Sequence, residues 1–156
     1  MITKLKFGIV AGVLALSVGA GVAFAAMSAD DAIKARKACM KDGHGFVFYK
    51  TAGRMAKGND PFDLAALKAA FETEDKLCAD WDKWWSADVL KGDKEQTHAK
   101  AEIATDAKGF NDASAAWYQA DQKMRAVTDL EGLKVAVKAV NAGCNGCHDK
   151  FRTPMQ

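Results

Sequence analysis

The chain has 156 residues, with 22 Lys and Arg against 20 Asp and Glu, and a formal net charge of +2. This length fits one domain with a hydrophobic core, and only two Pro and no Ser/Gly-rich tract argue against a disordered or fibrous chain. The near-neutral balance lacks the basic surface of a nucleic-acid-binding protein.

The first 25 residues have the pattern of a secretory signal peptide. Lys4 and Lys6 precede the uncharged residues 7–29, which contain an Ala-Phe-Ala cleavage sequence. The apolar run is also long enough for an uncleaved membrane anchor, which is the alternative interpretation. We expect residues 1–25 to be removed and residues 26–156 to form one domain in the periplasm. The mature polypeptide then has no net charge and no attachment to the membrane.

Three segments of the mature chain carry apolar residues at helical spacing. Two of them run from Phe110 to Val127 and from Leu64 to Trp85, and Glu74 interrupts the latter. In the C-terminal segment the intervals alternate between three and four, which is typical of the buried face of a bundle helix. The C-terminal positions are Leu130, Leu133, Val137, Val140, Cys144, Cys147 and Phe151.

The first mature helix is less regular than the others. We expect it to run from about Asp30 to Lys57 and to end at Gly58. Gly43 and Gly45 lie inside it, where glycine disfavours a helix by roughly 1 kcal/mol relative to Ala. They predict either a bend in the helix or a close approach to its backbone.

Capping residues predict the starts of two later helices. Asp60 before Pro61 is a favourable start for the second helix, and Thr128 with Glu131 forms a capping box at the start of the last one. Residues 86–98 lack periodicity and are predicted to be a loop. Four helices with short connections predict an all-α fold, an up-down-up-down four-helix bundle.

The sequence Cys144-Asn145-Gly146-Cys147-His148 is the most informative motif. C-x-x-C-H is the attachment signature of c-type haem, in which both thiols bind the porphyrin and the His binds iron. An export signal supports this interpretation, because bacteria attach haem c after export. A thioredoxin-like pair would follow a strand, and a zinc site would need further ligands at suitable spacing. The motif therefore predicts one covalently attached haem c, with His148 as proximal ligand.

A C-terminal C-x-x-C-H on the last helix of an exported four-helix bundle resembles cytochrome c′ and its low-spin relatives of the cytochrome c-556 type. Residues 144–152, residues 56–63 and the first-helix sequence Ala32-Ile33-Lys34-Ala35-Arg36 followed by Met40 are similar to that family. The resemblance implies that Arg36 lies near a haem propionate and that Met40 faces the distal side of the iron. The Gly43-His44-Gly45 sequence departs from the family pattern.

The sequence leaves several alternatives for the residue that faces the iron opposite His148. In an antiparallel bundle the start of the first helix approaches the end of the last, and Arg36, Met40 and His44 share one helix face. Met40 is the favoured sixth ligand, since His/Met ligation raises the reduction potential and suits electron transfer. Met40 can instead pack over a five-coordinate iron. A lone helical His such as His44 is more often a surface or capping residue.

Cys39 and Cys78 remain after the haem cysteines. The midpoint between them falls at the predicted turn around Gly58, so facing helices would place them at one level. We predict a disulfide, which an oxidising compartment permits. The alternative is a pair of buried thiols that pack as small apolar groups.

These patterns predict a periplasmic carrier of one electron that docks on redox partner proteins and is not an enzyme. The main rival is a five-coordinate haem protein that binds nitric oxide or other small gases. A peroxidase-like enzyme is disfavoured because the sequence shows no distal acid–base pair beyond His44. No nucleic-acid partner is expected, and the resemblance leaves a homodimer open.

Overall fold

The computed structural model describes residues 27–154, and the predicted signal peptide lies outside the described residues. Four long helices confirm the predicted all-α four-helix bundle. No helix within residues 27–154 is long and apolar enough to cross a membrane. The helices are α1 (residues 29–56), α2 (Leu64–Leu77), the short α3 (Glu102–Thr105), α4 (Ala107–Arg125) and α5 (Leu130–Phe151).

The first helix, α1, is wound more loosely in its middle than at its ends. There, backbone N–H groups donate to carbonyl groups five residues earlier, as Gly45 does to Met40. Such π-helical turns are rare and frequently lie at functional sites. The helix is α-helical over Ala29–Ala38, π-helical over Cys39–His44 and Phe46–Ala52, and α-helical again over Gly53–Ala56.

Gly43 permits a close approach between α1 and α2. A Cβ atom at Gly43 would lie 3.1 Å from Cys78 Sγ and 3.6 Å from Glu74 Cα. Of the two outcomes predicted for this glycine, close backbone contact is the one observed. The helix ends as predicted, because Gly58 adopts a φ of +74° that glycine accommodates without strain.

Aspartate side chains cap the starts of α2, α4 and α5, and two predicted starts are wrong. Asp63, not Asp60, caps α2, and its carboxylate accepts an N–H of the first turn. Asp60 forms an ion pair with Arg54 at 2.6 Å instead. Asp129 caps α5 in the same way, so the capping box predicted at Thr128 does not form. In both cases an aspartate in extended conformation immediately before the helix takes the capping role.

Three clusters of buried apolar residues hold the bundle together. The largest joins α1, α2, α4 and α5, and includes Leu67, Met124 and Leu133. The second packs Trp84 against the start of α1. The third lies at the end of α5, around Phe151, and includes Leu90 from the predicted loop. The regular structure of that loop, residues 86–98, is one short 3-10 turn.

Candidate functional site

Cys144 and Cys147 lie one turn apart near the end of α5, as free and partly buried thiols. Burial raises the pKa of the Cys144 thiol to about 11, although a hydrogen bond from Trp117 opposes this rise. Burial also raises the pKa of the Cys147 thiol, which packs against the cluster around Phe151. A thioredoxin-like pair needs a lowered thiol pKa, so the structure argues against that alternative.

His148 follows Cys147 and is partly buried. Burial lowers the pKa of its imidazole, and the positive charge of Arg152 lowers it further. The imidazole is therefore neutral at pH 7, which is the form that binds a metal ion. Arg152 also ends the helix, since its backbone N–H donates to the His148 carbonyl at 3.1 Å.

Aromatic side chains wall the region beside the two thiols. The rings of Trp81 and Trp85 lie 4.8 Å apart, and Trp85 lies 4.9 Å from Phe110. A cavity of about 690 Å³ opens beside Trp81 and Trp117, within the usual size range of ligand pockets. Trp85 Nε1 and Ser114 Oγ line a smaller cavity of about 190 Å³. Both atoms are buried without a hydrogen-bond partner among residues 27–154.

Arg36 is a buried cation, with 4% of its surface exposed. Its guanidinium donates to the carbonyl groups of Trp84, Val89 and Leu90 at 3.0–3.4 Å. It also lies 5.2 Å from the centre of the Trp85 ring. Within the described part of the chain, no carboxylate forms an ion pair with it. Burial lowers its pKa, and a bound anionic group would compensate the charge.

Glu74 is a site residue that sequence reasoning missed. Its side chain is 3% exposed, and its two carboxylate oxygens bind His44 Nδ1 and Arg125, the latter at 2.6 Å. Arg125 also pairs with Asp121 at 2.5 Å. The His44 ring lies 4.4 Å from the Trp117 ring. The signal available in the sequence is an acidic residue at a core position of α2, with a histidine on the preceding helix.

A disulfide between Cys39 and Cys78 confirms the predicted pairing and joins α1 to the end of α2, with Cα atoms 5.0 Å apart. His44 Nε2 lies 3.5 Å from Cys39 Sγ and 3.9 Å from Cys78 Sγ. Within residues 27–154, these three residues form the one group of three side chains close enough to share a metal ion. Disulfide sulfurs are not thiolate ligands, and Cys144 and Cys147 lie outside this group.

Met40, the predicted sixth ligand, lies one turn after Arg36 and is partly exposed. It belongs to none of the three apolar clusters of the described residues. His44, one turn further along α1, lines the larger cavity together with Trp117. The structure therefore brings His44 into contact with Trp117, whereas Met40 does not line this cavity.

The chemistry of these residues fits a haem group. Two protonated thiols stand beside a neutral imidazole, and aromatic rings offer faces to a flat apolar ring system. The buried Arg36 lacks an anion, which a haem carboxylate would supply. A haem c group would therefore have a covalent anchor, an iron ligand and a counter-charge within this part of the fold.

Comparison with known proteins agrees with this chemistry. A family model described as Cytochrome C′ matches residues 31–152. Cytochrome c-556 of Rhodopseudomonas palustris is 29% identical over 151 residues, which cover 95% of this chain and 97% of that protein. Cytochrome c′ of Alcaligenes xylosoxydans xylosoxydans is 31% identical over 129 residues, covering 79% and 94%. A solved ferrous variant of cytochrome c prime from Alcaligenes xylosoxidans with bound NO is 27% identical, with a TM-score of 0.67 and coverage of 81% and 98%.

Proposed function

Since the chain belongs to the cytochrome c′ family and carries one covalently attached haem c, we propose that it is a periplasmic haem protein that binds nitric oxide or another small gas. The observation that carries this proposal is its likeness, over 81% of its length, to a cytochrome c prime solved with NO bound. Reversible gas binding requires no catalytic residues, so we expect no enzymatic turnover. The gas would bind to the haem iron, which His148 would hold.

Three side chains attach the haem in this proposal. Cys144 and Cys147 form the two thioether bonds, and His148 binds the iron from the proximal side. Arg36 would compensate the charge of a haem carboxylate, because it is buried and has no carboxylate partner among residues 27–154. The haem iron would supply the gas-binding position, and the aromatic rings of Trp81, Trp85 and Trp117 would limit the access of water to the haem.

Gas titration of the purified ferrous holoprotein tests this function. We expect nitric oxide to change the visible spectrum and to saturate at one gas molecule per haem. A Cys144→Ser, Cys147→Ser double variant is the control, since it cannot hold the haem covalently. A haem-bearing protein whose spectrum does not respond to nitric oxide would contradict the proposal.

Electron transfer is the second candidate function. It is favoured by the similarity to a cytochrome c-556 over 95% of the chain and by the position of Met40 on the same helix face as Arg36. In this function Met40 is the sixth ligand, and redox partner proteins dock on the surface. A sulfur-to-iron charge-transfer band in the ferric protein, lost in Met40→Leu, would support it. The absence of that band would contradict Met40 ligation.

A further inference from the structure

The Cys39–Cys78 disulfide has a histidine ring against its two sulfur atoms. His44 Nε2 lies 3.5 Å from Cys39 Sγ and 3.9 Å from Cys78 Sγ, and only 14% of the His44 side chain is exposed. A disulfide carries no proton, whereas reduction converts each of its sulfurs to a thiol that gains one. The imidazole therefore faces the place where protons are gained and lost when this bond is broken or formed.

A buried carboxylate holds the His44 ring in this orientation. Glu74 is 3% exposed, and its Oε1 binds His44 Nδ1 while its Oε2 accepts a hydrogen bond from Arg125 at 2.6 Å. A carboxylate on Nδ1 orients a catalytic imidazole and stabilises its protonated form, and Nε2 can then give or take a proton. The proposed gas binding uses neither His44 nor Glu74.

The two sulfur atoms of the disulfide differ in their access to solvent. Cys39 is fully buried inside α1, whereas Cys78 is partly exposed at the end of α2. Cys78 also lines the cavity of about 690 Å³ beside Trp81 and Trp117. A thiolate that enters this cavity therefore meets Cys78 Sγ, and Cys39 Sγ becomes the leaving group. Cys39 Sγ is also the sulfur nearer to His44 Nε2.

Electrostatics favour the same direction of attack. Cys78 caps the C-terminus of α2, where the helix dipole disfavours a negatively charged sulfur. A protonated His44 beside Cys39 favours a negatively charged sulfur there. Because thiol–disulfide exchange is faster when the leaving sulfur carries its negative charge more easily, Cys39 is the better leaving group.

The charge of the cavity selects the attacking thiol. Four carboxyl side chains line it together with one guanidinium and one imidazole: Glu74, Asp75, Asp82, Asp121, Arg125 and His44. An excess of acidic groups attracts cations and repels anions. The cavity therefore favours a neutral or cationic thiol over an anionic one.

We propose that Cys39 and Cys78 form a redox-active pair that exchanges with a neutral or cationic dithiol, and that His44 is the catalytic acid–base residue of this exchange. One thiol of the dithiol releases its proton to solvent and attacks Cys78 Sγ, which forms an intermolecular disulfide. The Cys39–Cys78 bond breaks, its electron pair stays on Cys39 Sγ, and His44 Nε2 gives that sulfur a proton.

A second displacement completes the reaction. The other thiol of the dithiol gives its proton to His44 Nε2 and attacks the sulfur of the dithiol that is bonded to Cys78. Cys78 leaves with the electron pair and takes a proton from solvent. The dithiol is thereby oxidised to its disulfide, and Cys39 and Cys78 gain two electrons and two protons. The reverse sequence forms the Cys39–Cys78 bond.

Reduction of the folded holoprotein by dithiothreitol tests the proposal. Samples are quenched with acid and alkylated in denaturant, and the new thiols are counted by mass. We expect two alkyl groups without any prior unfolding, since haem blocks Cys144 and Cys147. His44→Gln slows the reaction roughly tenfold, because the leaving sulfur loses its proton donor. His98→Gln is the matched control and changes nothing, since His98 is exposed and bonds Thr153.

A disulfide that dithiothreitol reduces only in denaturant would overturn the proposal, and so would equal rates in wild type and His44→Gln. Circular dichroism shows whether His44→Gln folds. Should it fail to fold, the rate of Glu74→Gln decides the role of the imidazole.

Glu74→Gln tests the positioning of His44. The amide keeps the shape of the side chain and removes its charge, so we expect slower reduction by dithiothreitol. Asp75→Asn is the control, since Asp75 pairs with Arg125 at 2.9 Å and forms no hydrogen bond with His44. In a His44→Gln, Glu74→Gln double variant we expect no further loss, whereas a merely structural role would add one. Equal rates in Glu74→Gln and Asp75→Asn would exclude the role.

Single-cysteine variants test which sulfur is attacked. Cystamine, a cationic disulfide, is added to folded Cys39→Ala and Cys78→Ala proteins, and the mixed disulfide is followed by mass. We expect the remaining Cys78 thiol to react roughly tenfold faster than the remaining Cys39 thiol, because it lines the cavity. Faster reaction of the Cys39 thiol would rule out attack at Cys78.

Monothiols of opposite charge test the route through the cavity. Cysteamine is cationic and mercaptopropionate is anionic, and each rate of attack on the oxidised protein is divided by the rate of the same thiol with the uncharged disulfide of mercaptoethanol. We expect the higher ratio for cysteamine, with a difference that salt reduces. Equal ratios, or a higher one for mercaptopropionate, would contradict attack through this acidic cavity.

Discussion

The surroundings of Arg36 indicate that this residue binds an anionic group. Its guanidinium is buried among three carbonyl groups and the Trp85 ring, which provide dipoles and a π-face but no negative charge. A buried cation in such surroundings carries an uncompensated desolvation cost. The proposed haem carboxylate removes that cost in the holoprotein.

Replacement of Arg36 by Met is expected to affect the holoprotein more than the apoprotein. In the holoprotein the substitution leaves a buried carboxylate unpaired, and we expect a loss of roughly 3 kcal/mol in the free energy of unfolding. In the apoprotein, represented by the Cys144→Ser, Cys147→Ser variant, we expect a smaller loss. There the hydrogen bonds lost with the guanidinium are offset by the removal of a buried, unpaired charge. Arg36→Lys keeps the charge and is expected to lose less. Denaturant unfolding measures all of these, and equal losses in the two forms would contradict the pairing.

The candidate site was only partly predictable residue by residue. Cys144, Cys147 and His148 form a local motif, so the sequence alone identifies them. Glu74 and His44 are 30 positions apart, and nothing within either segment shows that they meet. Their pairing depends on the tertiary approach of α2 to α1 at Gly43, and local patterns do not encode that approach.

At the scale of elements, periodicity located the helices better than capping patterns located their ends. The apolar spacing placed three of the four bundle helices, because burial of one face is a property of many residues at once. Asp60 and Thr128 failed as caps because Asp63 and Asp129 stand nearby and the competing caps differ by only about 1 kcal/mol. The π-helical turns of α1 had no signal beyond the two glycines.

The disulfide between α1 and α2 is expected to contribute substantially to stability. Its cysteines are 39 positions apart, for which the loop-entropy model gives about 4 kcal/mol. We expect a Cys39→Ala, Cys78→Ala double variant to lose that free energy of unfolding, as measured in denaturant. Wild-type protein unfolded with and without a thiol reductant is the matched comparison, and a loss below about 1 kcal/mol would contradict this prediction.

At the scale of the whole molecule, the net charge of +2 belongs to the predicted signal peptide. Lys4 and Lys6 are the charged residues of residues 1–25, so a polypeptide of residues 26–156 is neutral by count, and two haem carboxylates would make it slightly acidic. Electrostatic docking of a partner protein therefore depends on local patches and not on the overall charge.

Deletion of residues 2–25 is expected to abolish haem attachment, because the protein would stay in the cytoplasm. In a bacterial host that matures c-type cytochromes, we expect the deletion variant to accumulate without covalent haem on a denaturing gel. Replacement of the same residues by an unrelated cleavable signal restores the haem. Intact mass of the wild-type holoprotein should correspond to residues 26–156, and retention of residues 1–25 would show that the segment is an anchor.

The disulfide also has a consequence for biogenesis. In the proposed periplasmic location, an oxidant must take the hydrogens of two cysteines to form the disulfide, while the other two cysteines must keep theirs until the haem is attached. Cys39 and Cys78 meet as soon as the first two helices form a hairpin, and Cys144 and Cys147 lie in the last helix. The order of the cysteines along the chain thus separates the two reactions in time. The disulfide can form between the first pair before the haem-binding cysteines have left the export channel.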